Sequence, residues 1–88
     1  MRTLWVLILF LFLLAGQALA EVGDFYVKKG NEFYKQEKWD QAIEQYTLAI
    51  GINPGHMGAR QNLGLAYQSK RDFTHAIEVF QAMKKDDP

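Results

Sequence analysis

The stretch WDQAIEQYTLAIGINP, residues 39–54, is followed by a second stretch with a similar pattern in this chain of 88 residues. Residues 73–88 read FTHAIEVFQAMKKDDP, so Phe73 takes the place of Trp39 at an offset of 34 residues. Self-similarity at a fixed period of roughly 20 to 50 residues is typical of repeat proteins, in which each unit buries its apolar face against the next. The sequence therefore predicts two tandem structural units.

Apolar residues within the first copy follow helical spacing and do not alternate as they would in a strand. They recur at steps of three and four residues, at Ala42, Ile43, Tyr46, Ala49 and Ile50. Pro54 ends this pattern, because proline donates no backbone hydrogen bond and disfavours helix in the residue before it. We predict an all-α fold with four helices near residues 22–36, 40–52, 57–70 and 73–85, the last of them capped by Asp72.

The N-terminus has the pattern of a secretory signal peptide, because Arg2 precedes an unbroken apolar run. Ala18 and Ala20 provide the small side chains that a signal peptidase requires before the cleaved bond. We predict a signal peptide over residues 1–20 and a mature chain beginning at Glu21. The alternative is an uncleaved membrane anchor, although the charge-free stretch is at the short end of the roughly 20 residues that span a bilayer.

The predicted mature chain has the length of two repeats. The first repeat covers residues 21–54 and the second covers residues 55–88. Ten Lys and Arg balance ten Asp and Glu, and loss of Arg2 leaves nine against ten. This balance argues against nucleic acid and anionic membrane surfaces as partners. The chain has no cysteine, so its stability must come from packing without disulfides.

Small and aromatic residues recur in register between the two repeats. The pairs are Gly30 with Gly64, Phe33 with Tyr67, Ala42 with Ala76, Tyr46 with Phe80, and Pro54 with Pro88. In these places the sequence resembles the tetratricopeptide repeat family, whose unit is a helix-turn-helix. The resemblance implies a short α-solenoid of two tandem repeats after a hydrophobic signal segment, with these residues in the core.

The resemblance also implies a binding surface, because first-helix residues of this family line a concave face that holds a peptide or a partner helix. When the family's binding positions are mapped onto this sequence, the residues on that face in the first repeat are Val27, Lys28, Asn31, Tyr34 and Lys35, with Asp24 beside them. In the second repeat the corresponding residues are Gln61, Asn62, Leu65 and Gln68, with Ser69 beside them.

Two of these residues have a more specific counterpart in the family. Asn31 and Asn62 stand where chaperone-binding members carry asparagines that clamp the terminal carboxylate of a peptide. That clamp also needs a lysine where this chain has Val27, and two basic residues from a third repeat. We therefore expect a polar groove without the full clamp.

The mature chain offers little for catalysis, since Ser69 is its one serine and it has no cysteine. His56 and His75 lack a His or Cys partner at zinc-ligand spacing, and we expect both to be solvated at the surface. The acidic residues are interleaved with lysines, as in helix-face ion pairs. We expect no catalytic, metal or cofactor site, and therefore no enzyme.

The last helix differs from its counterpart at the positions expected to seat a following repeat. Lys84 and Asp86 replace Ile50 and Ile52. Phe80 and Met83 are expected to form an apolar edge that self-association, a partner subunit or an uncleaved N-terminal helix would cover.

These observations predict a small exported interaction module, an adaptor or assembly factor, in the periplasm or secreted. It would bind a protein or peptide on its concave face. The alternative is a structural scaffold, either self-associating through the last-helix edge as a homo-oligomer or tethered to a membrane by an uncleaved N-terminal segment.

Overall fold

The computed structural model describes residues 2–86. Its regular elements are four helices, α1 (Arg2–Lys35), α2 (Trp39–Ile52), α3 (Met57–Ser69) and α4 (Phe73–Asp86). Turns of a few residues join them, so consecutive helices lie antiparallel as helical hairpins. The predicted all-α fold of two helix-turn-helix units is confirmed.

The first helix is much longer than its predicted span, which began near residue 22. It runs without a break from Arg2, because neither proline nor any other terminating residue separates the apolar segment from the repeat. Residues 2–20 are exposed throughout, and the first buried residue of α1 is Gly23. Among the described residues, α1 is the one helix long and apolar enough to cross a membrane.

Paired helices of each repeat approach closely at a glycine. An ideal Cβ built on Gly30 would lie 2.5 Å from Cε1 of Tyr46, and one built on Gly64 would lie 2.6 Å from Cζ of Phe80. These distances are shorter than any real Cβ contact, so the aromatic rings occupy the space that a larger residue would need. The predicted close approach at the glycines is confirmed, but each glycine faces an aromatic ring. Of the other residues expected in the core, Ala42, Tyr46 and Ala76 are buried, Pro54 is exposed, and Pro88 lies outside the described residues.

The core lies where α2 is enclosed between α1 and α3. Its buried cluster is Ala42, Tyr46, Leu63 and Ala66, and half-buried side chains including Ile43 and Ile50 pack against it. The last helix packs on α3, and α1 does not contact α4. The N-terminal segment therefore does not cover α4. Of the three covers predicted for the last helix, the uncleaved N-terminal helix is wrong.

The predicted cap of the last helix is confirmed. The backbone N–H of His75 donates to Oδ1 of Asp72 at 3.3 Å, and the His75 ring bonds Oδ2 of Asp72 at 2.6 Å. These two hydrogen bonds from His75 hold the pKa of the Asp72 carboxyl below its ordinary value. The helix therefore begins at a carboxylate that stays ionised at neutral pH.

His56 caps the N-terminus of α3, and its side chain is less exposed than the predicted solvation implies. Nδ1 of His56 accepts from the backbone N–H of Ala59 at 3.0 Å, so Nε2 carries the proton that is donated to Oδ1 of Asp24 at 3.1 Å. The side chain is 22% exposed. His56 is thus a helix cap that also ties the second repeat to α1.

Candidate partner-binding cleft

A cleft of about 250 Å³ opens between α1 and α3. Its lining residues, which define the concave cleft, are Asn31, Tyr34, Lys35, Tyr46, Asn62 and Leu65. All of these except Tyr46 belong to the concave face predicted from the sequence. The packing of α1 beside α3 against the common α2 brings them together.

Asn31 stands at the centre of a hydrogen-bond relay within this cleft. Its Oδ1 accepts from the hydroxyl of Tyr46 at 2.6 Å and from Nδ2 of Asn62 at 3.0 Å. Because both donors bond the carbonyl oxygen, the N–H groups on the other side of the amide are directed away from Tyr46 and Asn62. The amide nitrogen of Asn31 has no hydrogen-bond partner within residues 2–86, so its two N–H groups are available to an acceptor in the cleft.

Tyr46 supports the Asn31 hydrogen bonds from the buried side of the cleft. Its side chain is 1% exposed, and burial, with a smaller effect of the neighbouring Tyr34, raises its pKa to about 12. The phenol therefore stays protonated at neutral pH and donates to Asn31. Sequence reasoning assigned Tyr46 only to the core, although the need of a buried tyrosine hydroxyl for a partner is a signal that could have indicated this role.

The other end of the cleft is braced by Tyr34. Its hydroxyl and Oγ of Ser69 are 3.0 Å apart, which joins the end of α1 to the end of α3. Its ring meets that of Trp39 edge to face, with centroids 4.9 Å apart. Contacts on both sides hold the ring in one position, so the cleft is preformed at this end.

Several predicted face residues lie outside the concave cleft. Val27 is half-buried against the core. Lys28 and Gln61 are exposed and do not line the cleft, and Gln68 lies beside Phe73 at the start of α4. A role of these residues in partner binding stays a prediction.

The predicted apolar edge of the last helix is correct only in part. Phe80 and Met83 are half-buried, and Phe80 rests on the backbone of α3 at Gly64. Phe80 also lines an open cleft together with Phe73 and Ile77, which are 52% and 54% exposed. The apolar edge therefore extends from Phe80 to the start of α4.

Ile52 was also expected to seat the following repeat. It lies against Gly23 of α1, with its Cγ2 3.9 Å from an ideal Cβ on that glycine. Ile52 therefore helps to close the first hairpin.

Residues 2–86 contain no group of three His, Cys, Asp or Glu side chains arranged to hold a metal ion. The ring of His75 stacks on Tyr67 with centroids 5.1 Å apart, in addition to its bonds with Asp72. Both histidines are thus engaged in capping helices.

Comparison with known proteins places the chain among repeat proteins. A family model described as TPR repeat matches residues 30–70, and a model described as tetratricopeptide repeat matches residues 58–83. No solved structure matches the chain significantly.

Relatives of the chain carry the same repeat. The Hsp70-Hsp90 organising protein of Plasmodium falciparum is 39% identical over 57 residues, which are 65% of this chain and 10% of the relative. The chloroplastic tetratricopeptide repeat domain-containing protein PYG7 of Arabidopsis thaliana is 33% identical over 72 residues, 82% of this chain and 23% of the relative. Hsp70-Hsp90 organizing protein 1 of Arabidopsis thaliana is 40% identical over 47 residues, 53% of this chain and 8% of the relative.

The chain thus spans less than a quarter of the length of each of these relatives. The repeats and the relatives identify a protein-protein interaction module. Two family models that together match residues 30–83, in register with two helical hairpins, show that the chain belongs to the tetratricopeptide repeat family and carries two repeats.

Proposed function

We propose that this module holds an extended segment of a partner protein in the concave cleft. The observation that carries the proposal is the Asn31 amide, whose oxygen is occupied by Tyr46 and Asn62 while its two N–H groups have no partner within residues 2–86. A preformed donor is suited to a backbone carbonyl or a carboxylate of a bound chain. Binding such an acceptor requires no rearrangement of the relay.

The rest of the cleft supports a peptide as the ligand. Leu65 is an exposed apolar side chain in the cleft, and Lys35 offers a cation at its edge. A volume of about 250 Å³ suits a few side chains rather than a whole cofactor. We therefore expect a segment with an apolar side chain against Leu65 and a backbone carbonyl against Asn31.

The identity of the partner does not follow from the relatives. Two of them are named as organisers of Hsp70 and Hsp90. This chain has Val27, half-buried against the core, where the chaperone-binding clamp needs a lysine. We accordingly propose a protein segment without assigning it to either chaperone.

Site-specific photo-crosslinking in the full chain tests this proposal. A photoreactive amino acid at position 65 should crosslink to one defined partner segment, whereas the same amino acid at position 48 should not. Leu48 is the matched control, because it is 44% exposed on α2 and lies outside the cleft.

The crosslinked segment is then made as a synthetic peptide and titrated. Leu65→Glu should weaken its binding about tenfold or more, which corresponds to roughly 1.4 kcal/mol, and Leu48→Glu should leave it unchanged. Crosslinks at position 48 alone, or equal affinity for both variants, would rule out the concave cleft.

We further propose that residues 1–20 direct export to the periplasm or outside the cell and are removed after Ala20. The exposed, apolar character of this part of α1 supports the proposal. Mass spectrometry of the expressed protein should detect a chain beginning at Glu21, and Ala20→Tyr should prevent its formation, since the peptidase accepts only small residues there.

A membrane-tethered scaffold is the second candidate, and the continuity of α1 favours it. One unbroken helix would join the bilayer to the first repeat with no flexible linker between Ala20 and Gly23. An unprocessed chain in the membrane fraction, unaffected by Ala20→Tyr, would support this candidate over export.

A further inference from the structure

A second cleft, of about 410 Å³, is formed by α4 and the end of α3. We call it the terminal cleft, and its lining residues are Gln68, Phe73, Ala76, Ile77 and Phe80. Each has a counterpart 34 residues earlier in the chain, and the counterparts are Tyr34, Trp39, Ala42, Ile43 and Tyr46. The terminal cleft is therefore the second-repeat version of a surface that the first repeat also has.

In the first repeat this surface is covered by α3. Ala42 and Tyr46 are at most 1% exposed, and they form one cluster with Leu63 and Ala66 of α3. No helix among residues 2–86 occupies the corresponding place on the second repeat. As a result Phe73 is 52% exposed, whereas its counterpart in the first repeat, Trp39, is half-buried.

We infer that the terminal cleft binds an amphipathic α-helix of a partner protein, in the position that α3 occupies on α2. The first repeat shows the geometry, with the covering helix antiparallel to the one it covers. The ion pair between Lys70 at the end of α3 and Asp40 at the start of α2, at 2.6 Å, marks that orientation. The partner helix runs antiparallel to α4 and presents small and apolar residues three and four positions apart, as Ala59, Leu63 and Ala66 do.

The charges at the end of α4 define the partner further. Ile50 at the end of α2 lines a cleft with Leu63 and Arg60 from the first half of α3. The counterpart of Ile50 is Lys84, so this cation faces the first half of the bound helix, whereas Lys85 lines the cleft beside Ile50. Acidic residues are favoured in that half, because they neutralise Lys84 and suit the positive end of the helix dipole.

A second copy of this chain does not meet these requirements. In such a dimer, α1 of one copy would have to cover α4 of the other. Lys29 would then take the place that Leu63 has in the first repeat, and Glu32 the place of Ala66. Lys29 would then face Lys84, and the carboxylate of Glu32 would enter a position where Ala66 is fully buried. The terminal cleft therefore suits a helix of different sequence.

The test uses a fluorescent peptide with the sequence of residues 57–70, in which Arg60 is replaced by glutamate and Leu63 is kept. A hydrocarbon staple on its solvent face maintains the helix, since isolated helices of this length are marginal in water. Fluorescence anisotropy measures its binding to the full chain in detergent micelles. The same stapled peptide with lysine at position 60 is the control.

We expect the acidic peptide to bind and the basic peptide to bind at least about tenfold more weakly. Ile77→Ser should weaken the acidic peptide by a similar factor, whereas Leu48→Ser, at an exposed site on α2, should not. Lys84→Glu should reverse the preference in favour of the basic peptide, a result that a purely structural effect would not produce.

Three results would overturn the inference. One is the absence of binding at about 1 mM peptide, and another is binding that Ile77→Ser leaves unchanged. The third is a dimer of the chain in light scattering that Ile77→Ser converts to a monomer, which would make a second copy the occupant. Leu65→Glu in the concave cleft should leave the acidic peptide bound, so this test is independent of the proposed function.

Discussion

Two glycines set the distance between the helices of each repeat. The Cβ that alanine would add at Gly30 falls 2.5 Å from the ring of Tyr46, which is buried and hydrogen-bonded to Asn31. At Gly64 the obstructing ring is Phe80, on the helix whose outer side is open. Phe80 thus has more freedom to shift than Tyr46.

We predict that Gly30→Ala lowers the free energy of unfolding by about 1–3 kcal/mol through overpacking. Gly64→Ala should lower it by less, because Phe80 can move toward the open side. Gly51→Ala is the control, since no atom lies within 4 Å of its added Cβ in α2, and it should raise stability by about 0.5–1 kcal/mol. Chemical denaturation followed by circular dichroism measures all three, and an undiminished midpoint for Gly30→Ala would contradict the packing argument.

Tyr46 gives the fold a specific sensitivity to alkaline pH. Its folded-state pKa of about 12 is above the ordinary 10.0, so its stabilisation of the fold is complete below pH 10 and is lost as the pH rises toward 12. We predict that the wild-type chain loses stability over this interval more steeply than Tyr46→Phe. Thermal melts at several pH values would show this, and parallel pH curves for the two proteins would contradict it.

Both hairpins turn through a non-glycine residue in the left-handed region. Glu37 has a φ of 60° and Arg71 a φ of 72°, at equivalent places in the two repeats. The N–H of Lys38 donates to the carbonyl of Phe33, and that of Asp72 donates to the carbonyl of Tyr67, as in the Schellman motif at helix ends. A side chain disfavours this conformation, so each turn carries backbone strain.

We predict that Glu37→Gly stabilises the protein by up to about 1 kcal/mol, because glycine adopts a positive φ without steric cost. Glu32→Gly is the matched control, since the same exposed side chain is lost from the interior of α1, and it should destabilise by about 1 kcal/mol. Urea denaturation of both variants compares the effects, and a destabilising Glu37→Gly would contradict the strain assigned to the turn.

In the molecule as a whole, α1 has an exposed N-terminal half and a C-terminal half that packs against the other helices. Residues 2–20 are exposed, and contacts with α2 begin at Gly23, against Ile52 and Asn53. The apolar half of α1 therefore adds nothing to the core of the repeats.

We predict that a chain of residues 21–88 unfolds with the same midpoint as the full chain when both are measured in the same detergent. The removed segment contributes no buried contact, so the shorter chain should retain α2, α3 and α4. Guanidinium denaturation followed by circular dichroism provides the comparison. A large loss of stability would mean that the N-terminal segment covers part of the repeats.

Local pattern alone determined the number of helices, most of their ends, the small and aromatic residues of the core, and the Asp72 cap. These features depend on residues within a few positions of one another, or on the constant offset between the repeats. The start of α1 was missed because residues 1–20 were expected to form a signal segment separate from the first repeat.

Tertiary structure decided what lies between the helices. The Tyr46 hydroxyl reaches Asn31, and His56 reaches Asp24, only because α1, α2 and α3 cross at distances that the Gly30 contact permits. For the same reason the apolar edge of α4 is most exposed at Phe73 and Ile77, whereas Phe80 is half-buried. Which side of a helix is covered depends on the neighbouring helix, and helical periodicity contains no information about that neighbour.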